Sequence, residues 1–544
     1  MSKVAQYLQQ HVVGEVLTSI DAREYFSTDG SIYKITPQII VYPRAENDVR
    51  KIARFSWQLA ERGRLVPLTA RGSGTDFSGG SLGQGVMIVF PAHMNKVLTL
   101  DSNKGFVSVQ PGINYGKLQQ TLLTHGQFLP PYPASLEYST VGGAVANNAA
   151  GEKSVKYGVT KDYAKQLRVV LANGEVITTK RISKKELGQK KGLPSFEGEL
   201  YRAIDNVLND SKKAIEGYVP SVTRSVSGYD IWSIKGNDGS FDLTPLFIGS
   251  QGTLGIVTEI VLDTETYNPQ KTLLVGFFDD IAKAGAAVNK LRELGPSTLE
   301  MIDGNLIKFL LEHNPNQINS VIKDNSSKVA LFVEFDNLAA RKQKKYTKKA
   351  KKVLEDFAVS FVATKDPTEQ EDYWKVRHSA AAVLWQNLGA KKALPVIEDA
   401  IFPTEKFAEF MQNVYSLFSN FQLDPPCVWG HAGSGNLHVQ PFFDLSNIGD
   451  RQKMYKLMDS YYGMVLSMGG VITGAHNDGR LRAPYLGLQY GDEIYGIFRK
   501  IKQICDPYGI LNPGVKIDVL QKDTQQYVRS DYSLSHLYDH MPRT

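Results

Sequence analysis

The sequence predicts an α+β protein of two or three domains. Three observations predict it. A chain of 544 residues can bury more than one core. Its hydrophobic and charged fractions, 42% and 22%, are those of an ordinary globular protein. Short apolar strands are interleaved with amphipathic helices along most of its length. The net charge of +6 is mild and gives no reason to expect nucleic acid as a partner. Cys427 and Cys505 are too few for an iron–sulfur cluster or a disulfide framework. The first residues, MSKVAQYLQQHVVGEVL, lack the apolar centre of a signal peptide, and no run approaches the roughly 18 apolar residues of a spanning helix. A cytoplasmic protein with at most peripheral membrane contact is the expectation.

A helix over 4–17 and a turn at 27–30 precede a strand at 39–42. A helix over 47–61, apolar at Val49, Ile52, Ala53 and Phe55, leads to a strand at 65–69, so the chain opens as β-α-β. A glycine-dense loop at 71–80 is followed by strands at 86–90, 97–100 and 107–109 and a helix at 115–125. A long irregular run, 130–158, comes next. Ala172-Asn173-Gly174 signals a hairpin between strands 169–171 and 176–179, and 247–262 is strand-rich. From about Asn268 the pattern turns to β-α-β with an antiparallel character: strands 273–277 and 328–335 and helix 281–294. Helices at 337–357 and 369–387, a strand at 394–397, and helices at 450–468 and 492–505 complete the reading. The segment after Asp518 is polar and aperiodic, expected to dock loosely. This gives divisions at 1–265, 266–470, 471–518 and 519–544.

The stretch 429–441 (WGHAGSGNLHVQP) reads as a hairpin with its turn at 433–436. A turn centred between Ser434 and Gly435 sets His431 directly opposite His438. Opposed residues share a face with Cβ atoms about 5 Å apart, close enough to hold one metal ion or bracket one small polar substrate. Residues 71–80 (RGSGTDFSGG) follow a strand and offer successive backbone amides to pyrophosphate oxygens, with charge from Arg71 and hydroxyls from Thr75 and Ser78. The loop matches neither the Rossmann dinucleotide fingerprint nor a P-loop. The run 130–158 adds small and polar residues, with Thr140 and Asn148 as directional hydrogen-bonding groups, and so long a loop is usually functional. Residues 341–352 (RKQKKYTKKAKK) form a charge run, either a solvated helix face or a docking surface for an acidic electron-transfer partner or an anionic membrane.

The two loops, together with GSQGTLGIVTE at 249–259, resemble the FAD domain of the vanillyl-alcohol oxidase/p-cresol methylhydroxylase (PCMH) superfamily. YWKVR at 373–377, GHAGSGNLH at 430–438 and the segment 506–514 resemble the C-terminal domain of D-lactate dehydrogenases, glycolate oxidase flavoprotein subunits and D-2-hydroxyglutarate dehydrogenases. The resemblance implies a two-subdomain PCMH-type FAD domain followed by an α+β cap with an antiparallel sheet. Non-covalent FAD would be held by Arg71, Gly72, Ser73, Gly74, Thr75, Ser78 and Gly79 at the pyrophosphate. Pro133, Ser135, Thr140, Gly142, Gly143, Asn148, Tyr157 and Gly158 would run along the flavin and ribityl chain. Gly252, Ile256 and Val257 would meet the adenine side, and Asn512 would close over the isoalloxazine. Gln251 stands where the family often has glutamate.

The implied activity is oxidation of a small D-2-hydroxy acid (lactate, glycolate or 2-hydroxyglutarate class), the α-hydrogen leaving as hydride to flavin N5. Arg377 would hold the substrate carboxylate, Lys391 or Lys392 would add a second cation, and His431, Asn436 and His438 would line the site. His476 would take the hydroxyl proton. Electrons would leave to an external acceptor: quinone, an electron-transfer flavoprotein, a separate iron–sulfur subunit or oxygen. In metal-dependent relatives, His431 and His438 correspond to ligands of a divalent ion such as Zn or Mn, completed by a glutamate. Here Ala475 replaces that glutamate. Three readings follow: a metal completed by Asp478 or water, a metal-free site, or a flavoprotein that relays electrons with lost or altered substrate activity.

Overall fold

A computed structural model describes residues 2–218, 220–313, 315–318, 327–386, 389–537 and 541. Three sheets carry the architecture. The first has the order Glu15–Leu17, Ile39–Tyr42, Val86–Val89, Leu68–Arg71, with parallel pairing among the last three. Helix Glu46–Ala60 crosses between two of those strands and buries Val49, Ile52 and Ala53 against Ile39, Leu68 and Ile88. The second sheet is antiparallel, in the order Val97–Asp101, Phe106–Val109, Ile256–Asp263, Ala164–Val170, Val176–Thr179. The third has six antiparallel strands: Ser360–Thr364, Lys271–Phe278, Val329–Asp336, Thr298–Asp303, Cys427–His431, Asn436–Gln440. Among the described residues no helix is long and apolar enough to cross a membrane.

Several elements differ from the sequence reading. The opening helix stops at His11, and Glu15–Leu17 form an edge strand instead. Gly14 allows this, since a Cβ there would lie 1.9 Å from the Tyr42 carbonyl oxygen. The strand expected at 65–69 is Leu68–Arg71, ending at the glycine loop, and the one expected at 394–397 is reduced to Lys392–Ala393. The helix expected over 369–387 runs Pro367–Gln386, and Asn387 lies outside the described residues. A helix at Leu486–Cys505 starts before the expected Asp492 and breaks at Gly491, φ 70°.

The run 130–158 is not structureless. It contains helices Val141–Asn147 and Ser154–Tyr157 and is tied to the cap by charge. Lys153 meets Glu334 and Asp336 at 2.7 and 2.5 Å, Lys156 meets Asp336 at 3.0 Å, and Glu152 accepts from His378 at 2.7 Å. The described residues after 518 are not loosely docked either. Arg529 donates to the carbonyls of Asp29 and Ser31, Tyr532 to that of Gly30, and His536 Nε2–H to that of Gly74 at 2.9 Å. Polar composition hid this attachment because it consists of hydrogen bonds to backbone carbonyls, which leave no apolar period in the sequence.

Candidate functional site

The histidine hairpin forms from the expected residues, in a pairing register shifted by two residues. His431 pairs with Asn436 and Trp429 with His438, around a 3₁₀ turn at Ala432–Ser434. Gly435 sets this register: it takes φ 68°, and a Cβ there would lie 2.1 Å from the Phe402 carbonyl oxygen. His431 and His438 are therefore diagonal rather than opposed, on one face, with ring centroids 5.6 Å apart. His476 stacks on His438 at 5.2 Å.

Each of the three imidazoles donates Nδ1–H to a buried carboxylate. His431 donates to Glu300 at 2.6 Å; His438 and His476 both donate to Glu398, at 3.0 and 2.8 Å. Arg377 closes on the other oxygen of Glu300 through Nε at 3.1 Å and Nη2 at 2.7 Å. Arg482, fully buried, bonds Glu398 through Nη2 and the Asn477 carbonyl through Nη1. Burial opposes charge on Glu300, but His431 and Arg377 outweigh it and bring its pKa down to about 2. Burial likewise opposes charge on Glu398, which His476, Arg482 and His438 hold well below the carboxylate range. For His476, burial is outweighed by Glu398 and Asp399, and its pKa rises to about 9. Burial pushes His438 down. Asp399 anchors the His476 loop, its Oδ2 accepting from the backbone N–H of His476 at 2.7 Å, and it does so at φ 87°, a conformation uncommon for a non-glycine residue.

Glu300, Glu398 and Asp399 escaped the sequence reading. The available signal was a carboxylate inside an otherwise apolar run, TLEMID at 298–303 and LPVIEDAIF at 394–402. Other expected substrate groups are spent on structure. Asn436 donates to Asp399 and Ala400 and accepts from Arg224 at 3.1 Å. One edge of Arg377 is taken by Glu300, so a substrate carboxylate would have only its remaining N–H groups. Lys391 pairs with Asp424 on the surface, and Lys392 lies in the short strand beside Phe443.

The carboxylate ligand that the metal expectation requires is missing. Ala475 packs its methyl against Ala150 and Val159. Asp478 is turned away, bonded to Lys516 at 2.6 Å and to the Gly228 amide at 2.8 Å. Glu398, His438 and His476 place possible ligand atoms within 4.8 Å of one another. The Glu398 carboxylate is nevertheless already shared by two imidazole N–H groups and a buried guanidinium that cannot lose its proton. Bringing a divalent cation to that carboxylate would set like charge against Arg482, so Glu398 does not replace the missing glutamate ligand.

The FAD expectation fares better. The amides of Gly72, Ser73, Gly74 and Thr75, at the end of strand Leu68–Arg71, have no protein acceptor among the described residues. Four such amides in one turn form the concave nest that pyrophosphate oxygens fill. A Cβ at Gly72 would lie 2.2 Å from Thr140 Oγ1, so only glycine lets the two loops meet. The second half of the loop is self-satisfied: Asp76 accepts from the Ser78 and Gly80 amides, from Ser78 Oγ and from Asn147. Ser78 is therefore not a free donor, contrary to the sequence reading. Arg71 lies under the turn, its Nη2 on the Thr28 carbonyl and its Nε and Nη1 unpartnered among the described residues. Gly79 lies against Tyr33.

Thr140 caps helix Val141–Asn147, the helix carrying Gly142 and Gly143, and the Asn148 side chain accepts from the Lys161 amide. Tyr157 bonds Asp336, and Gly158 follows it at φ 82°. Pro133 and Ser135 lie in a turn closed by the Leu136 amide on the Pro133 carbonyl. Gly252 takes φ 71° beside Ala70, while Ile256 and Val257 pair in the second sheet. Asn512 donates to the carbonyls of Gly80 and Gln251 and accepts from Thr69, so it clamps the glycine loop. Gln251 bonds Ser78, Asn147 and Gly479. Phe77 of the glycine loop meets the His476 ring edge-to-face at 5.3 Å, so the nucleotide loop and the histidine cluster share a wall.

A nucleotide cradle joined to an antiparallel cap through a histidine–carboxylate cluster defines a PCMH-type flavoprotein fold. Residues 37–180 match the FAD binding domain and residues 268–515 the C-terminal domain of FAD linked oxidases. The chain thus carries the two domain types that make up FAD linked oxidases. It is 28% identical over 521 residues to D-2-hydroxyglutarate dehydrogenase of Escherichia coli, covering 93% of this chain and 50% of that protein. It is 27% identical to glycolate oxidase subunit GlcD of Bacillus subtilis (89% of each chain) and 28% identical to D-lactate dehydrogenase of Anaerostipes hadrus (92% and 94%). The chain spans about half the length of the D-2-hydroxyglutarate dehydrogenases it matches. Among solved structures, p-cresol methylhydroxylase with substrate bound superimposes with a TM-score of 0.69 at 15% identity, covering 95% of this chain and 96% of that one.

Proposed function

We propose that this chain oxidises a small D-2-hydroxy acid of the lactate, glycolate or 2-hydroxyglutarate class to the 2-oxo acid. FAD, when bound, supplies the two-electron acceptor. The observation that carries the reading is Glu398, which accepts Nδ1–H from both His438 and His476. A carboxylate only accepts, so each ring is fixed with Nε2 turned away from Glu398. His438, kept neutral by burial, then presents an Nε2 lone pair and acts as the base for the substrate hydroxyl. His476, kept protonated, holds the substrate carboxylate. This assigns proton removal to His438 rather than to His476, the residue named by resemblance. It needs no metal, since the imidazolium of His476 and the Arg482 guanidinium supply the positive charge.

Electrons pass onward to an external acceptor, because Cys427 and Cys505, both buried free thiols, cannot hold a cluster. Ala475 favours a second reading, a flavin-binding relay subunit with lost or altered substrate activity. Anaerobic addition of D-2-hydroxy acids to the purified protein separates the two. Bleaching of the flavin absorbance supports oxidation; a stable flavin spectrum with every acid leaves only the relay.

A further inference from the structure

Residues 341–352 carry one arginine and seven lysines, more positive charge than the net +6 of the entire chain. They lie on helix Ala340–Phe357, which packs on the cap through Gln343, Ala350 and Leu354, with Tyr346 stacked on Phe335 at 6.2 Å. The apolar side of the helix is thereby committed to the core. All eight cations are exposed, and among the described residues none enters an ion pair.

Helix stability does not call for this pattern. Arg341/Lys345, Lys344/Lys348, Lys345/Lys349 and Lys348/Lys352 are like charges four residues apart, a repulsive spacing. Cations fill the first turn and Glu355 and Asp356 the last, opposite to what the helix dipole favours. Charges that weaken their own helix and lack counter-ions among the described residues are suited to a counter-charge outside the protein.

We propose that this helix face docks the protein on an anionic membrane surface. The residue choice selects that occupant over an acidic protein. Protein interfaces concentrate their energy in desolvated Trp, Tyr and Arg anchors. Within residues 341–352 the only aromatic, Tyr346, faces inward, and the only arginine sits in the first turn. Lysine, a hydrated point charge on a flexible stem, suits the diffuse potential of a lipid surface. With no apolar face left to insert, attachment is electrostatic and reversible. It does not depend on the proposed substrate chemistry, and it would bring the flavoprotein to a lipid-soluble acceptor such as quinone.

The test is co-sedimentation of the full chain with phosphatidylcholine vesicles, with and without phosphatidylserine, at low and high salt. The expected result is binding only to vesicles containing phosphatidylserine, lost at high salt as the Debye length contracts. Each lysine near such a surface strengthens binding about five-fold, so K344Q/K345Q/K348Q/K349Q should weaken partitioning by at least about a hundred-fold. Glutamine keeps the helix propensity and removes repulsion, and thermal melting checks the fold. R341Q/K351Q/K352Q gives the same direction from the helix ends and decides the matter if the first variant does not fold. No partitioning onto anionic vesicles, equal partitioning by parent and variants, or binding that survives high salt overturns the proposal, as does capture by an acidic protein without affinity for vesicles.

Discussion

Replacing Glu300 with glutamine should destabilise the cap more than any conservative change on its surface. Glu300 is fully buried between Arg377 and His431, at 2.7 and 2.6 Å. Its pKa falls from an ordinary 4.5 to about 2. That fall corresponds to about 3 kcal/mol of preferential interaction with the charged form. Breaking a buried ion pair from one side costs about 3–5 kcal/mol by a separate route, so the two magnitudes agree. Glutamine matches the shape but offers one acceptor to two donors and points its own N–H at the other. For a unit of the cap's size the apparent melting temperature should drop by about 6–12 °C. Changing both partners, Glu300→Gln with Arg377→Met, should recover part of that loss, because no bare guanidinium stays buried. Because the folded pKa is depressed, the Glu300 contribution is present above the ordinary carboxylate pKa and fades as pH falls towards about 2. Melting curves of the parent, Glu300→Gln and the double variant across that range make the measurement. A single variant within about 0.5 kcal/mol of the parent, or a double variant that loses the sum of both singles, refutes the reasoning.

Glu398→Gln should slow anaerobic flavin reduction by about a hundred-fold or more while leaving the oxidised flavin spectrum intact, because both imidazoles lose their fixed tautomer. Flavin reduction by a hydroxy acid should decline as pH rises through about 9, where His476 loses its charge, and a His476→Asn variant should lack that limb. Dialysis against a chelator should leave the reduction rate unchanged; a rate restored only by added Zn or Mn would overturn the metal-free assignment. His536→Leu, which removes the bond to the Gly74 carbonyl, should weaken FAD binding about ten-fold by titration, with His536→Gln restoring most of it.

The sequence by itself determined the parts whose chemistry is local. A glycine turn after a strand, a two-histidine hairpin and amphipathic helices are each fixed within a dozen residues. They could be read from spacing, as the helix at 46–60 and the strand at 39–42 were, within a residue. The two-residue error in the hairpin pairing, by contrast, is not local in origin. It arose because Gly435, against the Phe402 carbonyl, decides where the turn closes, and that carbonyl belongs to another segment. Only the tertiary structure decided what the site residues do. Glu300 and Glu398 reach the histidines from 131 and 40 residues away, and Arg482 reaches Glu398 across 84. No periodicity records such pairings. They shift the pKa values of His438 and His476 in opposite directions and make Asn436 and Asn512 braces. The physical reason is desolvation: burial makes every unmatched charge costly, so the partner brought by the fold, rather than the residue type, fixes the protonation state.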